Sequence, residues 1–236
     1  MARGAAKDLK EARALILSGK VFCGGHRVEK PGTPISLKVP LEVRTADHPW
    51  VSRGGVKLEH ALTKFKLDVE GAAAIDVGAS TGGFTDVLLS HGAARVYAVD
   101  VGYGQLHWTL RSDERVSVLE RTNARYLTTQ QIPDLVDFVV CDCSFISLTK
   151  VLAAPLTMVS PGGYLIALIK PQFEAKKNEV ERGGIVRNQD VHLQVCAKIE
   201  QWISERPGWN ILGIEESPIT GANGNKEFFI VGNVSC

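Results

Sequence analysis

Ten consecutive residues, Asp76-Val77-Gly78-Ala79-Ser80-Thr81-Gly82-Gly83-Phe84-Thr85, constrain the fold of this chain more than any others. An apolar run, Ala72 to Ile75, leads into them, and a helix-prone segment, Thr85 to Ser90, leads out. Strand, Gly-rich turn, helix is the unit with which an open α/β sheet holds a nucleotide-like ligand, at the carboxyl end of its first strand. Glycines in the turn let backbone approach a ligand closely. The spacing Gly-x-x-x-Gly-Gly departs from the Gly-x-Gly-x-x-Gly of dinucleotide folds, and Asp76 puts a carboxylate at the entrance, where a phosphate would be repelled. A sulfonium-bearing amino acid with a free ammonium suits that carboxylate, so the turn predicts S-adenosylmethionine rather than NAD. The alternative is a plain tight turn after a buried strand.

A second acid supports the ligand reading. Val96-Tyr97-Ala98-Val99-Asp100 is a short apolar strand that ends in a carboxylate 22 residues past Gly78. An acid at that distance can accept hydrogen bonds from ribose hydroxyls. Capping of the next turn is the simpler role for it.

Around this nucleus the chain divides into three expected parts: residues 1–47, 48–66 and 67–236. The first reads as a helix, Leu9 to Ser18, with apolar Leu9, Ala12, Ala14, Leu15 and Ile16 and Gly19 as its C-cap. A hairpin follows, Val21 to Cys23 and Arg27-Val28 about Gly24-Gly25, and then a strand from Ile35 to Val43 interrupted by Pro40. Such a piece is too small to bury much core by itself. The second part is a linker and a helix, with Ser52 as N-cap and Lys57, Ala61 and Lys64 on one face. The third alternates strands (Ala73–Val77, Val96–Asp100, Val116–Leu119, Phe138–Cys141, Tyr164–Ile169) with helices, including one from Val191 to Ile203. Trp209–Ser217 and Phe228–Val231 close it as an antiparallel hairpin. The expected fold class is α/β: a Rossmann-like, S-adenosylmethionine-dependent methyltransferase sheet of parallel strands with a terminal antiparallel hairpin, preceded by a small α+β piece that the resemblance described below implies is a truncated RNA-binding domain.

Charge separates the two ends. Residues 1–66 hold 13 basic and 6 acidic residues, a net of +7, against 14 and 20 in the remainder, a net of −6. A basic head on an acidic body points to a polyanionic partner, with affinity that falls as salt rises. Arg13, Lys20, Arg27, Lys30 and Arg53 are the candidate RNA contacts. No apolar run approaches the ~20 residues of a membrane helix, and the amino terminus has no apolar signal core. The five cysteines include no Cys-x-x-Cys; Cys141 and Cys143 read as small buried residues on one face, so neither disulfides nor a metal site is expected and the cytoplasm is the expected setting.

Two more strands end in polar groups that packing does not require. Phe138 to Cys141 runs into Asp142, and Tyr164 to Ile169 into Lys170-Pro171. Carboxyl ends of parallel strands face the ligand crevice, so Asp142 and Lys170 should converge beside the sulfonium; a surface ion pair is the alternative. A lysine among apolar groups can have its pKa lowered enough to accept a hydroxyl proton, while Asp142 opposes that lowering. Glu227, at the start of the last strand, aims at the same edge.

The strings Ser52-Arg53-Gly54-Gly55-Val56-Lys57-Leu58, Asp76 to Thr85, Cys141-Asp142-Cys143-Ser144-Phe145-Ile146-Ser147, Ile169-Lys170-Pro171-Gln172-Phe173-Glu174 and Gly224-Asn225-Lys226-Glu227, in this order, resemble the TlyA/haemolysin A-like family of FtsJ-type ribosomal RNA 2′-O-methyltransferases. The resemblance spans nearly the whole chain. It implies a catalytic tetrad of Lys57, Asp142, Lys170 and Glu227, with Lys170 as base. It implies cofactor contacts from Asp76, Gly78, Ser80, Thr81, Gly82, Gly83, Phe84, Thr85, Asp100, Val101, Asn123 and Asp142. It also implies ribosomal RNA or ribosomal subunits as partner, with cytidine as the nucleotide. Glu11 to Gly32 resembles the second half of the RNA-binding domain shared with ribosomal protein S-four, whose usual preceding helix this chain starts too late to supply.

Three rivals are distinguishable. A membrane-active haemolysin needs a spanning segment or a basic amphipathic helix with aromatic anchors, and neither is evident. A non-catalytic RNA-binding or assembly factor has no chemical reason to keep Lys57, Asp142, Lys170 and Glu227 together. Base methylation calls for a cysteine nucleophile or an Asn/Asp-Pro-Pro-aromatic clamp, a context Cys141 and Cys143 lack.

Overall fold

The computed structural model describes residues 5–17, 19–36, 38–43 and 48–235 and divides into two compact units, Met1–Pro49 and Trp50–Cys236. In the smaller unit, helix α1 (Leu9–Leu17) ends where Gly19 takes φ +70° and Lys20 N–H reaches back to the Leu15 carbonyl. Ser18, the expected last residue of the helix, lies outside the described residues. Strands β1 (Val21–Cys23), β2 (His26–Arg27) and β3 (Leu41–Val43) form an antiparallel sheet in the order β2-β1-β3. The expected strand from Ile35 onward is three residues long and starts only after Pro40, which cannot donate to a ladder; Leu37 lies outside the described residues. Arg13, Lys20, Arg27 and Lys30 are all exposed.

The larger unit opens with α2 (Gly54–Phe65), whose N-cap position is held by Arg53 and not by the expected Ser52. Lys57, Leu58, Ala61 and Leu62 form its buried face, whereas Lys64 points to solvent and pairs with Glu215. Strands and helices then alternate: β4 (Ala73–Val77), α3 (Gly83–Ser90), β5 (Arg95–Val99), α4 (Trp108–Arg111), β6 (Val116–Leu119), β7 (Val136–Cys141), α5 (Leu148–Val151), β8 (Val159–Ile169), α6 (Pro171–Glu174), α7 (Gln189–Ser204), β9 (Trp209–Glu216) and β10 (Phe228–Val234). Helix α3 starts two residues before the expected Thr85, and α7 and β8 extend past their expected ends, because apolar periodicity marks the buried middle of an element better than its termini.

The seven strands lie in the order β6-β5-β4-β7-β8-β10-β9. The first five are parallel, and β10 runs antiparallel to both β8 and β9. Alternate residues of each strand bury on opposite faces. Ile75, Val77, Val139, Leu165 and Ile169 pack toward Val195, Ile199 and Ile203 of α7. Ala74, Val140, Ile166, Leu168 and Phe229 pack toward Leu58, Ala61 and Leu62 of α2 and Phe84, Val87 and Leu88 of α3. With both faces covered, these strands are apolar throughout, and a charged residue in or just beyond one needs a reason. The chain reverses its direction of travel across the sheet between β4 and β7, and open α/β sheets hold ligands outside the carboxyl ends at such a reversal.

Candidate active site

The carboxyl edge carries the unusual polar groups. Asp76 is the fourth residue of β4 and its side chain is almost fully buried. One carboxylate oxygen, Oδ2, accepts from Thr85 N–H at 3.0 Å and from the Thr85 hydroxyl at 2.7 Å. The other, Oδ1, is buried and has no hydrogen-bond partner in the protein. Burial raises the Asp76 pKa to about 7; the two Thr85 hydrogen bonds oppose the rise, and the charges of Asp142 and Asp100 add to it.

Two glycines of the turn serve the protein's own packing. Gly78 takes φ +83°, and a Cβ there would meet Cys143 Sγ at 2.8 Å. A Cβ on Gly83 would sit 2.3 Å from Ser52 Oγ and 2.9 Å from Gly55 N, so the amino ends of α2 and α3 touch through bare backbone. Close approach between the loop and its neighbours, rather than to a ligand alone, fixes these residues. Cys141 is buried as expected, whereas Cys143, beyond the end of β7, is half-buried and donates to the Val77 carbonyl.

Beyond the turn, a chain of charges runs across the ends of β7, β8 and β10. Phe228 is the register partner of Ile169, so Glu227 and Lys170 emerge side by side. Lys57 Nζ lies 2.6 Å from Glu227 Oε2 and 3.3 Å from Asp142 Oδ2. Lys170 Nζ lies 2.5 Å from Asp142 Oδ1 and donates to Ser144 Oγ at 3.0 Å. Lys57, Lys170 and Glu227 are 6%, 7% and 3% exposed, which excludes an ordinary surface ion pair. Burial pulls the Lys170 pKa down, but the charge of Asp142, its hydrogen bond and the charge of Glu227 outweigh burial and leave the pKa above the usual lysine value. The lowering that apolar surroundings alone would give is therefore reversed.

One cavity of about 640 Å³ contains both sets of groups. Its walls include Asp76, Gly78, Ser80, Thr81, Gly83, Phe84, Lys57, Asp142, Lys170, Glu227 and Arg53. Gly82, Thr85, Asp100, Val101 and Asn123 do not line it. Asp100 instead accepts from Ser80 N–H at 2.8 Å and Gly102 N–H at 2.6 Å, bracing the turn from behind. Asn123 caps a single 3₁₀ turn by accepting from Arg125 N–H, and Val101 is exposed. Arg53, expected to meet RNA, donates to the Thr220 carbonyl at the cavity wall. The sequence reading missed Ser144, Phe145, Gln172 and Phe173, although each sits inside a string already singled out, and it missed Gly183-Gly184, a glycine pair in a long connection. Among the described residues no cluster of His, Cys, Asp or Glu could hold a metal ion.

The comparison with protein families decides what this architecture belongs to. Residues 50–234, the sheet and the whole charge chain, match the model of the FtsJ-like methyltransferases. The chain belongs to that family. It is 46% identical over 229 residues to the 16S/23S rRNA (cytidine-2′-O)-methyltransferase TlyA of Mycobacterium tuberculosis, covering 97% of this chain and 85% of that protein. It is 38% identical over 226 residues to Hemolysin A of Brachyspira hyodysenteriae, covering 95% and 93%. A solved structure from Streptococcus thermophilus, described as a candidate hemolysin, superposes with a TM-score of 0.78 at 40% identity, covering 99% of this chain and 86% of that one. The haemolysin name thus recurs among proteins similar to this chain. Among the described residues no helix is long and apolar enough to cross a membrane.

Proposed function

We propose that this protein transfers the methyl group of S-adenosylmethionine to the 2′-hydroxyl of a ribose in ribosomal RNA, a cytidine on the pattern of its TlyA relative, in the cytoplasm. The observation that carries the proposal is the Glu227–Lys57–Asp142–Lys170 chain in one cavity with the Asp76 turn. The cofactor's amino-acid end fits the turn because Asp76 Oδ1 is a buried acceptor that no protein group satisfies, and an ammonium is the donor that would satisfy it. When bound, the sulfonium supplies an activated methyl carbon and a positive charge.

The remaining work falls to the chain's own residues. Asp76 anchors the ammonium, and the turn from Gly78 to Phe84 shapes the wall around it. Lys170 rests as an ammonium, and a second positive charge in the cavity lowers its pKa, so proton loss from Nζ is coupled to cofactor occupancy. The neutral amine then accepts the proton of the attacking hydroxyl. Asp142 fixes the direction of Lys170, while Lys57 balances the charges of Asp142 and Glu227 that burial would otherwise make costly. The cavity walls would hold ribose and cofactor together, and that positioning would supply the rest of the acceleration.

The test is methyl transfer from labelled cofactor to isolated ribosomal subunits and to naked RNA. The expected product is an alkali-resistant dinucleotide, because a methylated 2′-oxygen cannot attack the adjoining phosphodiester. Label on a base, or product formation by Lys170→Ala at the wild-type rate, would contradict the proposal. Liposome leakage measured beside the same variant tests the haemolysin alternative.

A further inference from the structure

Three oxygens surround Lys170 Nζ: Asp142 Oδ1 as an ion-pair contact at 2.5 Å, and as hydrogen-bond acceptors the Asp142 carbonyl at 3.4 Å and Ser144 Oγ at 3.0 Å. The carboxylate and the carbonyl can only accept, whereas a hydroxyl can also donate. When Lys170 is a neutral amine it keeps two N–H groups and one lone pair. The two acceptor-only partners hold the two hydrogens, so the lone pair is left facing Ser144. Lys170, 7% exposed, and Ser144, exposed, both line the cavity, so the hydroxyl stands beside the amine where a substrate hydroxyl would enter.

The loop that carries Ser144 is fixed at both ends. Asp142 is held by the two lysines. At the other end, the buried carboxylate of Glu174 accepts from the Ser147 hydroxyl at 2.7 Å and from Leu148 N–H at 2.6 Å. Between them Phe145 takes φ +66°, a strained conformation for a residue with a Cβ, which a fixed loop can maintain.

We infer that Ser144 is a proton-relay residue, passing the acceptor hydroxyl's proton to Lys170. As the ribose oxygen bonds to the methyl carbon, its O–H bond breaks and that proton goes to Ser144 Oγ. Ser144 gives its own proton to Lys170 Nζ, which becomes an ammonium, and the electron pair of the broken sulfur–carbon bond stays on sulfur. The same hydroxyl carries the proton of Lys170 outward to solvent before the next turnover.

This inference rests on Lys170 being the base, and the experiment separates the two. Single-turnover methylation of ribosomal RNA is measured in H₂O–D₂O mixtures for the wild type, Ser144→Ala, Ser144→Thr and Lys170→Ala. The Lys170 side-chain nitrogen of the protein alone is titrated by ¹⁵N NMR. Ser144→Ala should slow the step on the order of 10²-fold and turn a curved, two-proton isotope dependence into a straight line. Ser144→Thr, which keeps the hydroxyl, should stay within about threefold of wild type with the curve intact. The Lys170 titration midpoint should fall in Ser144→Ala, because the ammonium loses one acceptor. A curved dependence or a wild-type rate in Ser144→Ala, or an unmoved midpoint, overturns the relay. Wild-type turnover in Lys170→Ala instead overturns the base.

Discussion

The two halves of the cavity handle buried charge in opposite ways. On the turn side, Asp76 keeps one carboxylate oxygen buried without a partner, and its pKa rises to about 7. On the lysine side, two ammonium groups and two carboxylates form a continuous chain of contacts at 2.5 to 3.3 Å. A buried charge without a partner is costly and is met by a shift toward the neutral form; a paired one is tolerated. The turn side is thus prepared for a cation supplied from outside, whereas on the lysine side each charge already has an opposite charge beside it and the group changes only by moving a proton.

The largest effect that would separate the halves is on turnover. Lys170→Ala should lower the rate on the order of 10² to 10⁴-fold and leave the affinity for S-adenosylhomocysteine, measured by calorimetry, unchanged. Equal losses in rate and affinity would mean that the halves are one unit. Next in size is stability. Lys57→Met leaves Glu227, 3% exposed, without its cation, and should cost about 3–5 kcal/mol in denaturant unfolding. Glu227→Gln in the same chain should recover part of that loss, because the orphaned charge is gone.

A smaller change tests how tightly the lysine side is fitted. A Cβ on Gly221 would lie 2.0 Å from Glu227 Oε1 and 2.5 Å from its Cδ, and the buried carboxylate is held by Lys57. Gly221→Ala should cost about 1–3 kcal/mol from overpacking and reduce turnover with cofactor affinity intact. Shortening the acid in Gly221→Ala/Glu227→Asp should return some stability. If it does not, the strain lies elsewhere.

The same contrast governs what the sequence revealed. The Asp76 turn is contiguous, so strand, turn and helix could be read from ten residues. Asp142 and Lys170 stood out as polar ends of apolar strands. Lys57, on a helix distant in sequence from its partners, had no local signature and came only through the family resemblance. Glu227 was legible from its place before the last strand, because a hairpin end must return to the edge it left. Three features needed coordinates. The Lys170 pKa depends on distances to two acids that sequence cannot measure. The hydrogen bonds that Asp100 accepts from Ser80 and Gly102, and Asn123 from Arg125, join residues whose spacing in sequence gives no sign of them. Arg53 takes the cap position of α2, and the hydroxyl of Ser52 lies beside Gly83 instead.

The smallest predicted effect concerns pH and belongs to the turn side alone. Burial holds Asp76 partly protonated near neutrality, with its pKa at about 7. An ammonium is held by the ionised carboxylate and not by the neutral acid, so ligand affinity should rise with pH through that region and level off above it. The direction follows from the sign: a raised acid pKa means that ligand binding must release a proton at pH 6, and this opposes binding. Calorimetry with S-adenosylhomocysteine should show affinity increasing about tenfold from one pH unit below the midpoint upward, with proton release detectable from the dependence on buffer ionisation enthalpy. Asp76→Asn should bind more weakly and lose the slope. A slope that survives in Asp76→Asn would place the titrating group among the lysines and their acids, and the contrast between the two halves would fail.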